Sequence, residues 1–295
     1  MNILIIGVGN IGRSHLNGLI KSTIKKKIYL YDTKKIKIKE KNVIILKRFP
    51  RNKSFFLVII STNVKERFSL SKKLLHYNKV ENLLLEKYIF KNINEFNFFE
   101  KIFLKKVNKC LVNCWGKILL KIFKIKPTNK KIEIRVEINN DAFLTNFIHF
   151  LEIFYYLTST QNKKYKMTNN IKKIINSKRE GYNELNGKII IKNESKSLLL
   201  YESKKLNHVF KMKIKIGKTS KKIILNNNFQ LNFFYNNKFL NKKFPLSSFT
   251  TKTLLESLLK KTTKKYILPD YMDIAPLNKI ILSNLHNKLN GKNFT

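Results

Sequence analysis

An apolar run at the start of the chain, Asn2-Ile3-Leu4-Ile5-Ile6, breaks into Gly7-Val8-Gly9-Asn10-Ile11-Gly12, and Asp32 closes a second apolar run twenty positions after Gly12. This pattern predicts a buried strand that turns sharply into a helix. Gly7 permits the turn, Gly9 lets a ligand approach the backbone, and Gly12 lets helix and strand pack closely. Unpaired N–H groups at a helix start attract phosphate. Strand, glycine turn, helix and acid at this spacing are together the signature of a dinucleotide-binding unit, with Asn10 and Ile11 counted among its contacts. Asp32, at the end of Lys27-Ile28-Tyr29-Leu30-Tyr31, can accept hydrogen bonds from an adenosine ribose, and its charge would repel a 2′-phosphate. NAD is therefore the expected cofactor, while Lys34 and Lys35 leave room for NADP.

At 295 residues, 43% of them hydrophobic, the chain has material for two domains with real cores. Its net charge of +43 would ordinarily point to nucleic acid or an anionic surface. Only six of the 61 basic residues are arginine, however, and alanine occurs only at positions 142 and 275. Lys, Asn, Ile, Phe and Tyr have AT-rich codons, so drift in an AT-rich genome accounts for the excess. The lysines are also spread along the chain. No specific nucleic-acid partner is expected, although sequence-independent adhesion at low salt is. Cys110 and Cys114 are the only cysteines and form no metal-ligand set, which fits a reduced cytoplasmic protein without a metal. No stretch reaches the ~18 uncharged apolar residues of a spanning helix, and Asn10 and the glycines interrupt what a signal peptide keeps unbroken.

Strand candidates at 2–6, 27–31, 43–46, 55–61, 82–85 and 109–113 alternate with helical patterns at 13–22, 65–77 and 94–105, as in a doubly wound parallel sheet. Ser61-Thr62-Asn63 follows the most apolar of these strands, at the edge where such sheets bind ligands; those residues could equally cap the next helix. Pro127-Thr128-Asn129 marks a boundary. Beyond it a strand at 131–138 and an aromatic helix at 142–158 precede strands at 188–192, 197–202, 208–216, 221–225 and 229–235. Consecutive strands of this kind make a mostly antiparallel sheet with an open face. Helices at 250–261 and 274–289 close the chain. The Asn/Lys-rich stretches at 161–187 and 226–243 are low in complexity and read as loops. The expected organisation is an α/β protein: a Rossmann domain over 1–125, then an α+β substrate and dimerisation domain over 126–295, whose helices at 250–289 could pack back on the first.

The glycine motif, His15, Ser61-Thr62-Asn63 with Arg67, Leu85-Glu86-Lys87, Asn113, and His149 within Asn146-Phe147-Ile148-His149-Phe150 occur in a familiar order. By these residues the chain resembles, nearly end to end, the Gfo/Idh/MocA family of NAD(P)-dependent sugar oxidoreductases. Thr145-Asn146 before Ile148-His149-Phe150 is similar to the branch associated with surface-glycan and nonulosonic-acid biosynthesis. The resemblance implies that Ser61, Thr62, Asn63 and Glu86 contact the cofactor, that Lys87 and His149 are catalytic, and that Asn113 and Asn146 meet the substrate. The chain also departs from the family. Thr145 stands where many members have aspartate, Tyr88 where proline usually follows Glu-Lys, and Cys114-Trp115-Gly116 where an arginine is common.

Hydride transfer at a hydroxylated carbon must also move the hydroxyl proton, which calls for a titratable group beside the reacting oxygen. A lysine at a sheet's carboxyl edge can stabilise developing alkoxide charge, and Glu152, on the same helical face as His149, could orient the imidazole or stand in solvent. The expected function is thus an NAD(P)-dependent oxidoreductase of a sugar, sugar phosphate or nucleotide sugar in glycan-precursor synthesis. It would be a dimer or tetramer, paired through the open sheet face. Two alternatives are a decayed member that holds dinucleotide as a binding or scaffold protein, and a basic nucleic-acid-binding protein with one contiguous basic face and interleaved aromatics.

Overall fold

The computed structural model describes residues 1–161, 164–177, 181–259 and 268–289. They fall into two compact units, residues 1–114 with 245–279, and residues 115–244 with the chain from 280 onward.

The first unit alternates strand and helix through β1 (Asn2–Ile6), α1 (Asn10–Ile20), β2 (Lys27–Tyr31), β3 (Val43–Ile45), β4 (Ser54–Ile60), α2 (Val64–Tyr77), β5 (Lys79–Glu86), α3 (Ile93–Ile102) and β6 (Lys109–Asn113). The strands pair in parallel in the order β3-β2-β1-β4-β5-β6. Ile3, Leu4 and Ile5 on β1 and Leu57 to Ile60 on β4 are fully enclosed. Both faces of these strands are covered, which is why they read as unbroken apolar runs. Each such side chain contributes ~1.5–3 kcal/mol by leaving water. The strand order reverses between β1 and β4, and the loops that diverge there open the crevice in which doubly wound sheets bind ligands. The glycine turn and Ser61-Thr62 are those two loops.

The second unit runs through α4 (Gly116–Ile122), β7 (Ile132–Asn139), α5 (Phe143–Leu157), β8 (Tyr165–Asn176), β9 (Asn183–Asn193), β10 (Leu198–Lys204), β11 (Phe210–Ile216), β12 (Thr219–Leu225), β13 (Gln230–Tyr235) and β14 (Lys238–Lys243). Its eight strands lie in the order β14-β13-β12-β11-β7-β10-β9-β8, and only β7 and β10 pair in parallel. β7 alternates strictly. Ile132, Ile134, Val136 and Ile138 are buried, while Glu133, Arg135 and Glu137 point to the opposite face. The helix α5 supplies the inner layer, with Phe147 and Phe150 at 5.0 and 5.4 Å from the Tyr201 ring.

Three elements differ from expectation. Residues 161–187 are not one loop, because β8 and the start of β9 occupy much of the stretch. Within 226–243, β13 is the strand expected at 229–235, but the rest is not loop: β14 pairs back on it in a hairpin turning at Asn236 and Asn237, both with positive φ. The helix α4 was not anticipated. The end of the helix expected at 250–261 lies partly outside the described residues.

From residue 245 the chain rejoins the first unit with α6 (Ser247–Leu259) and the start of α7 (Tyr271–Leu289). A Cβ on Gly18 would sit 2.2 Å from the Ser248 carbonyl, so α1 and α6 touch backbone to backbone. The Val112 N–H bonds Pro269 O at 3.0 Å, and Asn278 Oδ1 accepts the Ile89 N–H at 2.8 Å.

Candidate functional site

The glycine turn shows three different constraints at its three glycines. Gly7 has φ +88°, and a Cβ there would strike Thr62 and the Ser61 backbone at 2.8–2.9 Å. At Gly12 a Cβ would lie 2.0 Å from the Gly7 carbonyl oxygen. Gly9 is bounded by nothing within 4 Å, has an ordinary φ of −71°, and stands at the N-cap of α1, which no side chain caps. Gly9, Asn10 and Ile11 are exposed, Ile11 at 41%. Gly7 and Gly12 are thus demanded by packing. Gly9 is demanded by nothing in the fold.

Asp32 follows β2, and its Oδ2 accepts the Val8 N–H at 2.6 Å while Oδ1 accepts the Lys34 N–H at 2.9 Å. The acid therefore also fixes the glycine turn. Ser61 Oγ donates to the Gly7 carbonyl at 2.7 Å, tying the loop after β4 to the loop after β1. Thr62 Oγ1 is buried with no hydrogen-bond partner among the described residues, and Asn63 takes the N-cap position of α2 with extended backbone. These residues provide what a dinucleotide needs: exposed helix-start N–H groups, a gap at Gly9 and a carboxylate at the end of the adjacent strand.

At the other side of the switch point the structure builds a buried polar chain. His15 Nε2 lies 2.9 Å from Glu86 Oε1, and His15 Nδ1 lies 2.6 Å from Thr251 Oγ1. Asn113 Nδ2 donates to Glu86 at 2.5 Å and to Ser247 Oγ at 3.1 Å. Arg67, itself buried, donates to the carbonyls of Glu86 at 2.8 Å, of Tyr88 and of Thr62, so it clamps the ends of β4 and β5 together. Burial pushes the Glu86 carboxyl up. The hydrogen bond and charge of His15, the charge of Arg67 and the hydrogen bond from Asn113 outweigh it and hold the carboxyl below its ordinary value. Lys87 follows directly, half-buried, and its peptide bond to Tyr88 is cis. Thr251 and Ser247 carry no local signal that links them to Glu86.

In the second unit His149 is buried on α5. Its Nδ1 accepts the Trp115 N–H at 3.2 Å, which places the proton of a neutral ring on Nε2. The Trp115 indole stacks on the imidazole at 4.2 Å and on Phe210 at 5.7 Å. Glu152 is buried, not a surface glutamate, with a carboxylate oxygen within 4.8 Å of a His149 ring nitrogen. A Cβ on Gly116 would collide with the His149 carbonyl at 2.2 Å and with Glu152 at 2.6 Å, so α4 leaves no room for an arginine there. Thr145 has an acidic neighbour. Glu184 of β9 accepts hydrogen bonds from its hydroxyl at 2.6 Å and its N–H at 3.1 Å, and from the Leu144 N–H at 2.5 Å. Burial raises the Glu184 pKa, only partly countered by these bonds. Asn146 Nδ2 donates to the Ala142 carbonyl at 3.2 Å.

No family model and no curated protein sequence matches the chain. Solved structures do. A super-repressor mutant of Gal80p from Saccharomyces cerevisiae is similar with a TM-score of 0.70 at 14% identity, covering 97% of each chain. UDP-N-acetylglucosamine 3-dehydrogenase GnnA from Acidithiobacillus ferrooxidans gives 0.66 at 12% identity, over 97% of this chain and 96% of that one. Biliverdin reductase from Synechocystis, in complex with biliverdin and NADP+, gives 0.62 at 11% identity, over 97% and 98%. The likeness is one of fold. It spans both units and joins dehydrogenases to a regulator. Among the described residues no helix is long and apolar enough to cross a membrane.

Proposed function

We propose that the chain is a nicotinamide-dependent oxidoreductase of the Gfo/Idh/MocA type, acting on a hydroxyl or keto group of a sugar, sugar phosphate or nucleotide sugar in glycan-precursor synthesis. One observation carries the reading. At the switch point, Gly9 is exposed and unconstrained by the fold between two glycines that packing requires. Gly7, Gly9, Asn10, Ile11 and Gly12 would hold the pyrophosphate, Asp32 the adenosine ribose, and Ser61, Thr62 and Asn63 the far side of the crevice. Thr62 Oγ1, buried without a partner among the described residues, supports this. Glu86 would act from behind, by fixing the end of β5. NAD is the favoured dinucleotide, since Asp32 is anchored next to the turn.

The bound nicotinamide supplies a hydride acceptor or donor. The chain's own part is to handle the proton and position the sugar. Lys87 would donate a hydrogen bond to the reacting oxygen, and His149 would exchange the hydroxyl proton through Nε2, its Nδ1 being engaged by Trp115. Asn113 and Asn146 would orient sugar hydroxyls. The protein would work in the cytoplasm as a homo-oligomer paired through the β10 and β9 side of the open sheet face, where Leu198, Leu200 and Ile190 lie.

A panel of nucleotide sugars and sugar phosphates, followed by NADH absorbance, tests the proposal. Lys87→Ala should abolish turnover and leave the thermal shift with NAD intact. Turnover preserved in that variant would refute the assignment. A second reading, a dinucleotide-binding regulator without turnover, is favoured by Thr145 and by the likeness to Gal80p. It predicts an NAD thermal shift with no substrate-dependent absorbance change across the panel.

A further inference from the structure

The open face of the second sheet carries one transverse row that crosses all eight strands in register. From one edge to the other it reads Phe239, Phe234, Lys222, Lys213, Arg135, Leu200, Ile190 and Thr168. Three cations stand directly opposite one another on β12, β11 and β7. Like charges so placed destabilise a sheet. Arg135 has Glu133 beside it, whereas Lys213 and Lys222 make no ion pair among the described residues. The nearest acid on the adjacent row, Glu137, is shared by Lys204 and Lys211.

Next to the cations two phenyl rings lie in the open. Phe234 is 37% and Phe239 55% exposed, their centroids 5.1 Å apart, with Lys222 Nζ 5.3 Å from the Phe234 ring. Lysines 211, 213, 222 and 238 and these two rings line a groove of about 550 Å³. No acid lines it.

A second copy of the chain fits this half of the face poorly. A two-fold axis passing through this half would bring the same patch from both copies together, cations against cations. A small inorganic anion would satisfy the lysines and leave the rings in water. The groove calls for a ligand that alternates anionic groups with flat apolar rings, which describes single-stranded nucleic acid, whose phosphates follow a basic groove while its bases stack on aromatic side chains. A duplex keeps its bases stacked inside and offers the rings nothing. We propose that the outer face of β11 to β14 binds single-stranded nucleic acid without sequence preference. Lys213 and Lys222 hold phosphates, and Phe234 and Phe239 stack bases. The inference rests on the second unit alone and stands whether or not the first unit binds a dinucleotide.

The test is fluorescence anisotropy of the full chain with labelled dodecathymidylate, its duplex, and inorganic polyphosphate as a ring-free competitor. With so basic a protein, placement must be separated from total charge. Lys213→Glu with Lys222→Glu should weaken dodecathymidylate at least tenfold, and the equally charged pair Lys39→Glu with Lys41→Glu, on exposed lysines of the first unit, less than threefold. Phe234→Ala with Phe239→Ala should cost about tenfold or more for the single strand, from the usual worth of base stacking, and leave polyphosphate unchanged. The single strand should compete at least tenfold better than the duplex. Should Lys213→Glu with Lys222→Glu misfold by thermal melt, the glutamine pair replaces it. Equal losses from the two lysine pairs, phenylalanine variants without effect, or equal duplex binding would each overturn the proposal. So would light scattering that shows the phenylalanine variants converting a dimer to a monomer, which would assign the face to a second copy.

Discussion

Exchanging single glycines of the turn for alanine separates what the fold requires from what a ligand requires. In Gly12→Ala the new methyl would sit 2.0 Å from the Gly7 carbonyl oxygen and 3.0 Å from Ser61 Oγ. Ordinary contact is well over an ångström longer, so α1 must lift from the turn. Overpacking of this kind costs ~1–3 kcal/mol, against a helix-propensity gain of ~1 kcal/mol. A net loss of up to ~2 kcal/mol lowers Tm by about 2–4 °C per kcal/mol in a domain of this size. In Gly9→Ala the methyl meets nothing within 4 Å, and φ of −71° suits alanine. The weaker N-cap and the stiffer unfolded chain offset each other to within ~1 kcal/mol. Its Tm should therefore match the parent. The Gly9→Ala methyl nevertheless occupies the approach to the helix-start N–H groups, so NAD affinity, read by thermal shift and calorimetry, should fall at least tenfold. A Gly9→Ala protein that binds NAD like the parent would refute the reading of the turn, as would a Gly12→Ala protein that melts above the parent.

The depressed pKa of Glu86 means that the folded chain holds this proton less readily than the unfolded one. Its stabilisation is present above the ordinary carboxylate pKa of ~4.3 and is lost as pH falls through the lower folded value. Urea melts of Glu86→Gln should accordingly show a smaller stability loss between pH 5 and 3 than the parent. Thr251→Val removes a partner of His15 and should cost ~1–3 kcal/mol at pH 7 by the same assay, with α6 exchanging amide hydrogens faster. Asp32→Asn keeps an acceptor for the Val8 N–H and drops the charge, so the ratio of NADP to NAD affinity should rise by calorimetry. An unchanged ratio would mean that Asp32 only braces the turn.

The parallel sheet was legible because strands covered on both faces must be apolar, and Ile3 to Ile6 of β1, Phe55 to Ile60 of β4 and Leu83 to Leu85 of β5 are unbroken apolar runs. The glycine turn was legible because Gly7 and Gly12 answer local packing constraints at a fixed spacing around Gly9. β8 was not. A register shift between Ile171 and Lys173 breaks its two-residue period, and its exposed face is Lys and Asn, so polarity hid the strand. Gly187, whose Cβ would meet Asn170 O at 2.3 Å, marks that irregularity and could have been read as one. The edge strand β14 is exposed throughout, and its only local signal is the turn pair Asn236-Asn237. The helix α4 is a short apolar run whose periodicity does not tell helix from strand. At the site, Lys87 and His149 could be singled out by their neighbours in sequence. The partners of Glu86 could not, since His15 lies 71 positions away, and Thr251 lies 236 from His15. Glu184 was missed for the same reason.

That separation has a consequence for how the protein comes off the ribosome. His15 on α1 and Asn113, which holds the Glu86 carboxylate, find their hydroxyl partners, Thr251 and Ser247, on a helix that is synthesised only after β14. Until then the nascent sheet presents His15, Glu86 and an uncovered α1 to solvent. Its assembly is a closing event, to which residues 245–279 return like a clasp. A fragment ending at residue 114 would carry every residue of the glycine fingerprint and still not be an autonomous module.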